Sequence, residues 1–381
     1  MDDKKSICIV SAQYYPHMGG VEQYVDNFSK ELIARGHNVT ILTSEMTGAL
    51  SYEKKDNLEI YRLPSLQLMN GRFPVLKKNK EVTKITKELL QKKFDVMLVN
   101  MRFYFISLYA VHLAKKMNIR CIMLDHGCSH LNTGGKLTSK LGEIFEHGIT
   151  YMEKLYGIEY AGVSKLTLEW LEHFHIHSNL VLYNAIDVEH FESMKSNPVR
   201  DFRKEYGISK DAIIIAFVGR LTIEKGIREL VQAMNEIFQT RKDIYLIAAG
   251  EGYLREEVEK IGNQNIFLTG MLSTQEVTDL LQTSDILCVP SVSEGFSRVA
   301  LEAMMCKNFV ITTYRVGARE IITDKNYGII LKNNHSQTLA QAILSVVDNK
   351  SYRQQVTERC YSRVVNNYTW KHTIDRFLEI L

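Results

Sequence analysis

The sequence predicts an α/β protein built from two doubly wound parallel-sheet units, and three observations predict it. Continuous apolar runs of strand length recur, among them Ser6–Ala12, Ala212–Val218 and Ile286–Val289. Runs this short with no polar alternation read as strands buried on both faces. They alternate with stretches of helical apolar spacing along nearly the whole chain. Several of the runs end in a polar turn that opens a helix, as at Gly19-Gly20, Gly219-Arg220 and Glu294-Gly295. In an open α/β sheet ligands bind at that carboxyl edge of the strands.

Composition narrows the class. A chain of 381 residues suggests two or three domains, and 45% hydrophobic with 24% charged residues is ordinary for globular cores. Lys+Arg 47 against Asp+Glu 44, a net +3, is too balanced to point to nucleic acid as the partner. The cysteines (Cys8, Cys121, Cys128, Cys288, Cys306, Cys360) form no C-x-x-C pair and read as reduced structural thiols. No apolar run approaches the roughly 18 residues of a membrane span. The apolar stretch Ile7–Ala12 is too short for a signal peptide. The expected location is therefore the cytoplasm.

In the first half, strand Ser6–Ala12 is broken by Tyr14-Tyr15-Pro16, and Gly19-Gly20 leads into a helix from about Val21 to Arg35 that stops at Gly36. The glycine pair lets backbone approach an anion; a plain tight turn would look the same. The dinucleotide fingerprint G-x-G-x-x-G is not what stands here. Asn38–Thr43 and Leu58–Arg62 read as strands. Residues 75–93 read as one amphipathic helix, with Val82, Ile85 and Leu89 on one side and Lys77, Lys80, Lys84 and Lys87 on the other. Residues 72–93 carry a local excess of positive charge, which fits either a solvated helix face or a patch for an anionic membrane surface. Asp95–Val99 is a strand, Phe103–Met117 a helix, and Arg120–Leu124 a strand that delivers His126 to its carboxyl end. His173, His175 and His177 alternate in a surface-type run, and no carboxylate or cysteine is spaced to complete a metal site, so none is assigned. Periodicity fades from Asp187 to about Arg203, the expected linker, and the domain boundary is placed after residue 190.

In the second half, Ala212–Val218 ends in Gly219-Arg220, then Glu224-Lys225-Gly226, then a helix from Ile227. Two cations on one such turn match the charge of a nucleotide diphosphate, Arg as a fork and Lys as a point charge. Ile244–Ala249, Asn265–Thr269, Asp285–Val289 and Phe309–Thr313 continue the strand series. Glu294 follows the strand that stops at Pro290, and Glu302 lies one turn into the next helix. Amides of Gly295, Phe296 and Ser297 at that helix N-terminus suit a phosphate, and the two carboxylates suit sugar and ribose hydroxyls.

Taken together these residues resemble the family 4 retaining glycosyltransferases with the GT-B fold. The resemblance rests on Gly19-Gly20-Val21-Glu22, His126-Gly127, Asn184 to Asp187, Gly219-Arg220 with Glu224-Lys225-Gly226, Glu294 with Glu302, Gly317 to Glu320, and Tyr327-Gly328. It implies two Rossmann-like domains facing an interdomain cleft: residues 1–190 on the acceptor side, residues 191–365 binding the nucleotide sugar, and a last helix, 366–381, crossing back. It implies that Arg220 and Lys225 hold the donor diphosphate, helped by amides of Gly19, Gly20 and the Gly295-Phe296-Ser297 turn. Glu302 is implied to hold the ribose and Glu294 the transferred sugar, with His126 reaching over that sugar.

The activity implied is that of a metal-independent hexosyltransferase with no cofactor, in which the leaving phosphate oxygen accepts the acceptor's proton. A UDP-sugar donor is favoured on family frequency, with GDP-mannose the alternative. The acceptor class is a glycan or lipid-linked glycan of cell-surface polysaccharide or glycoconjugate synthesis. Peripheral docking on the inner membrane face through residues 72–93 would follow. A catalytically silent partner protein of the same shape is the alternative of another class, and retention of Arg220, Lys225 and Glu294 weighs against it. Lys307-Asn308 stand where the resemblance leads one to expect glycine and then proline, Ala318 replaces a common second glycine, and Ser297-Arg298 replaces a commoner small or proline pair. These departures bear on sugar and base preference, because the resemblance implies that the loop lines the donor pocket.

Overall fold

A computed structural model describes residues 4–69, 71, 73–130 and 136–381, with Lys136 described by its backbone alone. The chain divides into two compact units, residues 4–184 with 370–381, and residues 185–369. The boundary thus falls after Asn184, not after residue 190, and the return begins at Trp370, not at residue 366.

The N-terminal unit begins with β1 (Ser6–Val10), α1 (Gly20–Ala34), β2 (Asn38–Ser44), β3 (Tyr52–Lys55) and β4 (Leu58–Leu63). Then come β5 (Ser65–Leu68), β6 (Phe73–Leu76), α2 (Lys80–Leu90), β7 (Val96–Asn100) and α3 (Phe105–Met117). The unit continues with β8 (Arg120–Asp125), α4 (Lys136–Lys154), β9 (Glu159–Gly162) and α5 (Lys165–Glu172). Its main sheet has seven strands in the order β3-β4-β2-β1-β7-β8-β9. Ile7, Cys8, Ile9 and Val10 are fully buried, as a strand covered on both faces requires. The chain runs outward from β1 to β2 and β4, then returns to the other side of β1 as β7, so the strand order reverses between β1 and β7.

Two expectations in this unit are corrected. Residues 73–76 pair as β6 with β5, antiparallel, Ser65 opposite Leu76. The helix expected over 75–93 therefore begins only at Lys80, where the Asn79 side chain accepts the Val82 N–H at 2.9 Å. Edge strand β3 and the β5–β6 hairpin had no apolar alternation strong enough to announce them.

The last helix, Trp370–Glu379, packs on α1. Trp370 meets Tyr24 edge to face at 5.1 Å, Phe377 meets Phe28 at 5.1 Å, and Asp375 pairs with Arg35 at 2.6 Å. Its apolar face is thereby buried within the N-terminal unit.

The second unit opens with α6 (Val188–Ser196) and α7 (Phe202–Glu205), where a linker without periodicity was expected. Asp187 and Asp201 cap them through the N–H groups of His190 and Lys204. Next come β10 (Ile213–Val218), α8 (Ile227–Phe238), β11 (Ile244–Ala249), α9 (Arg255–Ile261) and β12 (Ile266–Gly270). They are followed by α10 (Thr274–Thr283), β13 (Ile286–Val289), α11 (Arg298–Met305), β14 (Phe309–Thr313) and β15 (Ile329–Leu331). Helices α12 (Ser336–Val347) and α13 (Lys350–Asn367) close the unit, and Trp370–Glu379 is α14. The six strands are all parallel in the order β12-β11-β10-β13-β14-β15. Here the order reverses between β10 and β13, and the turns after those two strands carry the predicted charges.

Candidate functional site

The turn after β10 runs through Arg220 and Thr222 into a single 3₁₀ turn, Ile223–Lys225, and then Gly226. Gly226 has φ 71°, and a Cβ on it would lie 2.3 Å from the Pro290 carbonyl oxygen. Only glycine lets this turn press against the end of β13. Val292 N–H donates to the Glu224 carbonyl at 2.9 Å and fastens the two turns together.

That closeness places Lys225 Nζ 2.9 Å from Glu294 Oε2, both side chains largely buried. Ser291 Oγ donates to the same carboxylate oxygen at 3.2 Å. The backbone around Glu294 is held on both sides: its N–H donates to the Arg315 carbonyl at 3.2 Å, and its carbonyl accepts the Gly317 N–H at 3.0 Å. A Cβ on Gly317 would stand 2.1 Å from the Gly295 carbonyl, so that position also demands glycine. Of the two cations expected to meet a diphosphate, Lys225 is already paired in this structure. Glu294 neutralises Lys225 at rest, while Arg220 is exposed and has no ion-pair partner among the described residues.

At the start of α11, Ser297 occupies the N-cap, but its side chain does not cap the helix. Its hydroxyl is buried and has no hydrogen-bond partner among the described residues. A buried hydroxyl without a partner is costly unless something binds it. It sits beside the outward N–H groups of a helix start, where anions are favoured. One turn on, Glu302 is 7% exposed and takes Arg298 Nε at 2.7 Å. Gly295 and Phe296 lie on the same turn, Phe296 buried. The structure therefore brings Lys225, Glu294 and Ser297 onto the two turns flanking the reversal of strand order, with Glu302 on the helix that follows the second.

The corresponding edge of the N-terminal unit is built differently. Gly19 N–H donates to the Glu22 carboxylate at 2.8 Å, so this amide, expected to meet the donor, is already used. Burial raises the Glu22 carboxyl above its usual range. Gly20 begins α1. His126 follows β8, and its Nε2 lies 2.9 Å from Asn100 Oδ1 at the end of β7. Asn100 Nδ2 donates to the Val10 carbonyl at 3.1 Å, which turns Oδ1 toward the histidine. The Nε2–H tautomer fits that acceptor and leaves Nδ1 unprotonated. Burial pushes the imidazole down to about 3, so His126 is neutral at physiological pH. Beneath it Asp125 accepts the His126 N–H at 2.9 Å and pairs with the fully buried Arg102 at 3.2 Å.

Asn100, Asp125 and Arg102 were missed from the sequence. A polar residue closing the apolar run Val96-Met97-Leu98-Val99 was a usable signal for Asn100; a lone arginine after a strand carried none.

Other expectations are placed as follows. On α2, Lys80, Lys84 and Lys87 are exposed along one face, and Ile85 and Leu89 are buried on the other. Lys77 precedes the helix and stands 3.9 Å from Glu45; Lys92 follows it and pairs with Glu59 at 2.8 Å. Arg72 lies outside the described residues. His175 and His177 are exposed while Phe174 and Ile176 between them are buried, which accounts for the alternation. His173, however, meets Glu143, His130 and His147, partners that no local spacing reveals.

Lys307-Asn308 does not line the site. It joins α11 to the amino end of β14, where Asn308 donates to the Leu281 and Ser284 carbonyls. Ala318 is fully buried behind Gly317.

Residues 18–190 match the family model Glycosyltransferase Family 4, and residues 198–363 match Glycosyl transferases group 1. An uncharacterised glycosyltransferase of Methanocaldococcus jannaschii is 24% identical, covering 99% of this chain and 98% of its own. One chain of the human phosphatidylinositol N-acetylglucosaminyltransferase is 26% identical over 97% of this chain and 74% of its own. The crystal structure of Anabaena HepE in complex with UDP superposes with a TM-score of 0.72 at 15% identity, covering 99% of each chain.

Proposed function

As the chain belongs to the family 4 glycosyltransferases and has the GT-B fold, we propose that it transfers a hexose from a nucleoside-diphosphate sugar with retention. The acceptor is a glycan or lipid-linked glycan of cell-surface polysaccharide or glycoconjugate synthesis. UDP is the favoured nucleotide; a structural neighbour is a complex with UDP, and the human relative is named for N-acetylglucosaminyl transfer.

The observation that carries this reading is the Lys225–Glu294 pair at the strand-order reversal, with exposed Arg220 on the first turn and, on the second, the Ser297 hydroxyl, which has no partner among the described residues. A diphosphate entering there takes Arg220 and Lys225 as counter-charges and the Ser297 hydroxyl and α11 amides as hydrogen-bond donors. Glu294, released from Lys225, is left to accept from sugar hydroxyls. Glu302 accepts from the ribose. The bond from the anomeric carbon to the phosphate oxygen breaks, the bond to the acceptor oxygen forms on the same face, and the acceptor proton passes to the departing phosphate. The cations carry the leaving charge, so no divalent metal is needed for transfer.

No described helix is long and apolar enough to cross a membrane. Docking on an anionic inner membrane face has two supports: the lysine face of α2, and an exposed stripe on α4. That stripe, Leu137, Leu141, Ile144 and Tyr151, recurs at helical spacing with each residue more than half exposed.

Incubating the purified chain with a panel of UDP- and GDP-sugars and measuring nucleotide release tests the donor. Release from UDP-sugars alone supports the reading. Release from GDP-mannose alone replaces the nucleotide, and release from none overturns the activity.

A further inference from the structure

Four side chains of the N-terminal unit converge although the sequence scatters them. His130 comes from the loop after β8, Glu143 and His147 stand four residues apart on α4, and His173 is the first residue past α5. One nitrogen or carboxylate oxygen from each lies within 4.8 Å of all the others. His130 Nε2 and His173 Nε2 face each other at 3.1 Å, and His130 Nε2 is 3.6 Å from Glu143 Oε1. Ligands bound tetrahedrally at ~2.0–2.1 Å stand about 3.3 Å apart. The contacts around His130 already have that spacing, and the widest separation closes by rotation of exposed side chains.

We propose that His130, Glu143, His147 and His173 form a binding site for a transition-metal cation of the zinc type. Three imidazoles with one carboxylate select such an ion over magnesium or calcium, which prefer all-oxygen sets. Four protein ligands close the coordination sphere, so the ion is structural and performs no chemistry.

The surroundings are those of a ligand set. His130 Nδ1 lies 3.1 Å from Glu146 Oε2, and Glu146 is buried and held by Arg102 at 3.4 Å. Glu146 thus accepts a hydrogen bond from Nδ1–H of His130, which leaves the Nε2 lone pair facing the cluster. Trp170 stacks on His173 at 5.0 Å, and Phe174 packs against His130 and His147. Hydrogen bonding alone accounts for one of these contacts, the His130–His173 pair. A cation accounts for the convergence of all four. Bound, it would tie the loop that runs from His126 to His130 onto α4 and α5.

Binding is read on the full chain, without reference to sugar transfer. Zn²⁺ is titrated in competition with a chromophoric chelator, and Co²⁺ is added separately to record visible absorption. The expected result is one ion per chain and the intense absorption bands of tetrahedral cobalt. His147 and His173 are exposed, so His147→Ala with His173→Ala leaves the core intact, which circular dichroism checks. That double variant should bind at least about 100-fold more weakly and lose the bands, while Glu146→Gln should cost about 10–100-fold. Equal affinity in wild type and double variant, or cobalt spectra without tetrahedral bands, overturns the site.

Discussion

The two sheets reverse strand order in the same way, yet their carboxyl edges are prepared differently. At the C-terminal unit's edge the charges are paired with each other but not consumed. Lys225 and Glu294 neutralise one another, Arg220 stands exposed, and the Ser297 hydroxyl lacks a partner among the described residues. At the N-terminal unit's edge the polar groups named are satisfied internally. Gly19 gives its N–H to Glu22, Asn100 fixes His126, and burial keeps that histidine uncharged. One edge is poised to exchange an internal ion pair for a ligand's charges; the other presents a set, neutral surface. The difference teaches that strand topology locates an edge, while the side chains' existing partners decide what the edge can bind.

The largest expected effect tests the charged edge. Lys225→Ala removes the cation from the leaving diphosphate and should lower transfer by about two to three orders of magnitude. Transfer should also persist in excess chelator. That arm is best run in the His147→Ala/His173→Ala background, where a structural ion plays no part. Full dependence on a divalent ion would mean that the cations do not carry the leaving charge.

Glu294→Gln sharpens the same comparison by splitting turnover from binding. It removes the carboxylate but keeps the shape, and it frees Lys225 from its partner. Turnover should fall by about ten-fold or more, as for loss of a transition-state contact. Affinity for the free nucleoside diphosphate should hold or rise, since Lys225 no longer exchanges one anion for another. Parallel loss of both, by calorimetry and kinetics, would place Glu294 on the nucleotide.

Next in size is membrane docking, which concerns the outer surface of the N-terminal unit. Lysines near an anionic surface contribute about 1 kcal/mol each, and salt screens them within ~10 Å at 0.1 M. Reversing Lys80, Lys84 and Lys87 to Glu should abolish co-sedimentation with anionic vesicles, and high salt should weaken it in the wild type. Equal binding to neutral vesicles would assign any attachment to the apolar stripe of α4.

How much of this was legible in the sequence depends on the reach of the signal. Short apolar runs announced β1, β7, β10 and β13 because a strand buried on both faces must be apolar throughout. The turn residues Gly226 and Glu294 were legible because chemistry and backbone conformation coincide there. The Lys225–Glu294 pair was not, since it depends on two turns meeting across a sheet. Neither was the His130 cluster, whose members come from a loop and two helices. The linker expected over 187–203 failed for a local reason: Asp187 and Asp201 cap helices too short to show periodicity.

The neutrality of the N-terminal edge gives a pH prediction. The His126 value falls from about 6.5 in the unfolded chain to about 3 in the folded one. Between those values the unfolded chain binds more protons, so stability is full above about 6.5 and declines as pH falls toward 3. His126→Gln should remove up to one proton's worth of that slope, seen in denaturant midpoints between pH 7 and pH 4.5. Identical slopes in wild type and variant would show that His126 ionises freely when folded, and the contrast between the edges would lose its electrostatic part.

The smallest effect lies at the opposite end of the C-terminal sheet and isolates backbone from chemistry. Lys307 follows α11 with φ 60°, in the left-handed region where the resemblance leads one to expect glycine. A side chain there costs ~1–2 kcal/mol in steric crowding, against ~0.5–1 kcal/mol of chain entropy that glycine loses on folding. Lys307 also pairs with Glu358 at 2.7 Å, with both side chains about half exposed, a contact worth little. Comparing Lys307→Gly with Lys307→Ala cancels that ion pair, because both variants lack it. Glycine should be the more stable of the two by roughly 0.5–1 kcal/mol in chemical denaturation. This inverts the order found inside helices, where alanine leads. Transfer should be unchanged in both, because the residue sits at the amino end of β14, away from the edge that carries Lys225 and Glu294. A shift in donor preference in either variant would bring this departure back into the donor pocket and redraw the boundary of the charged edge.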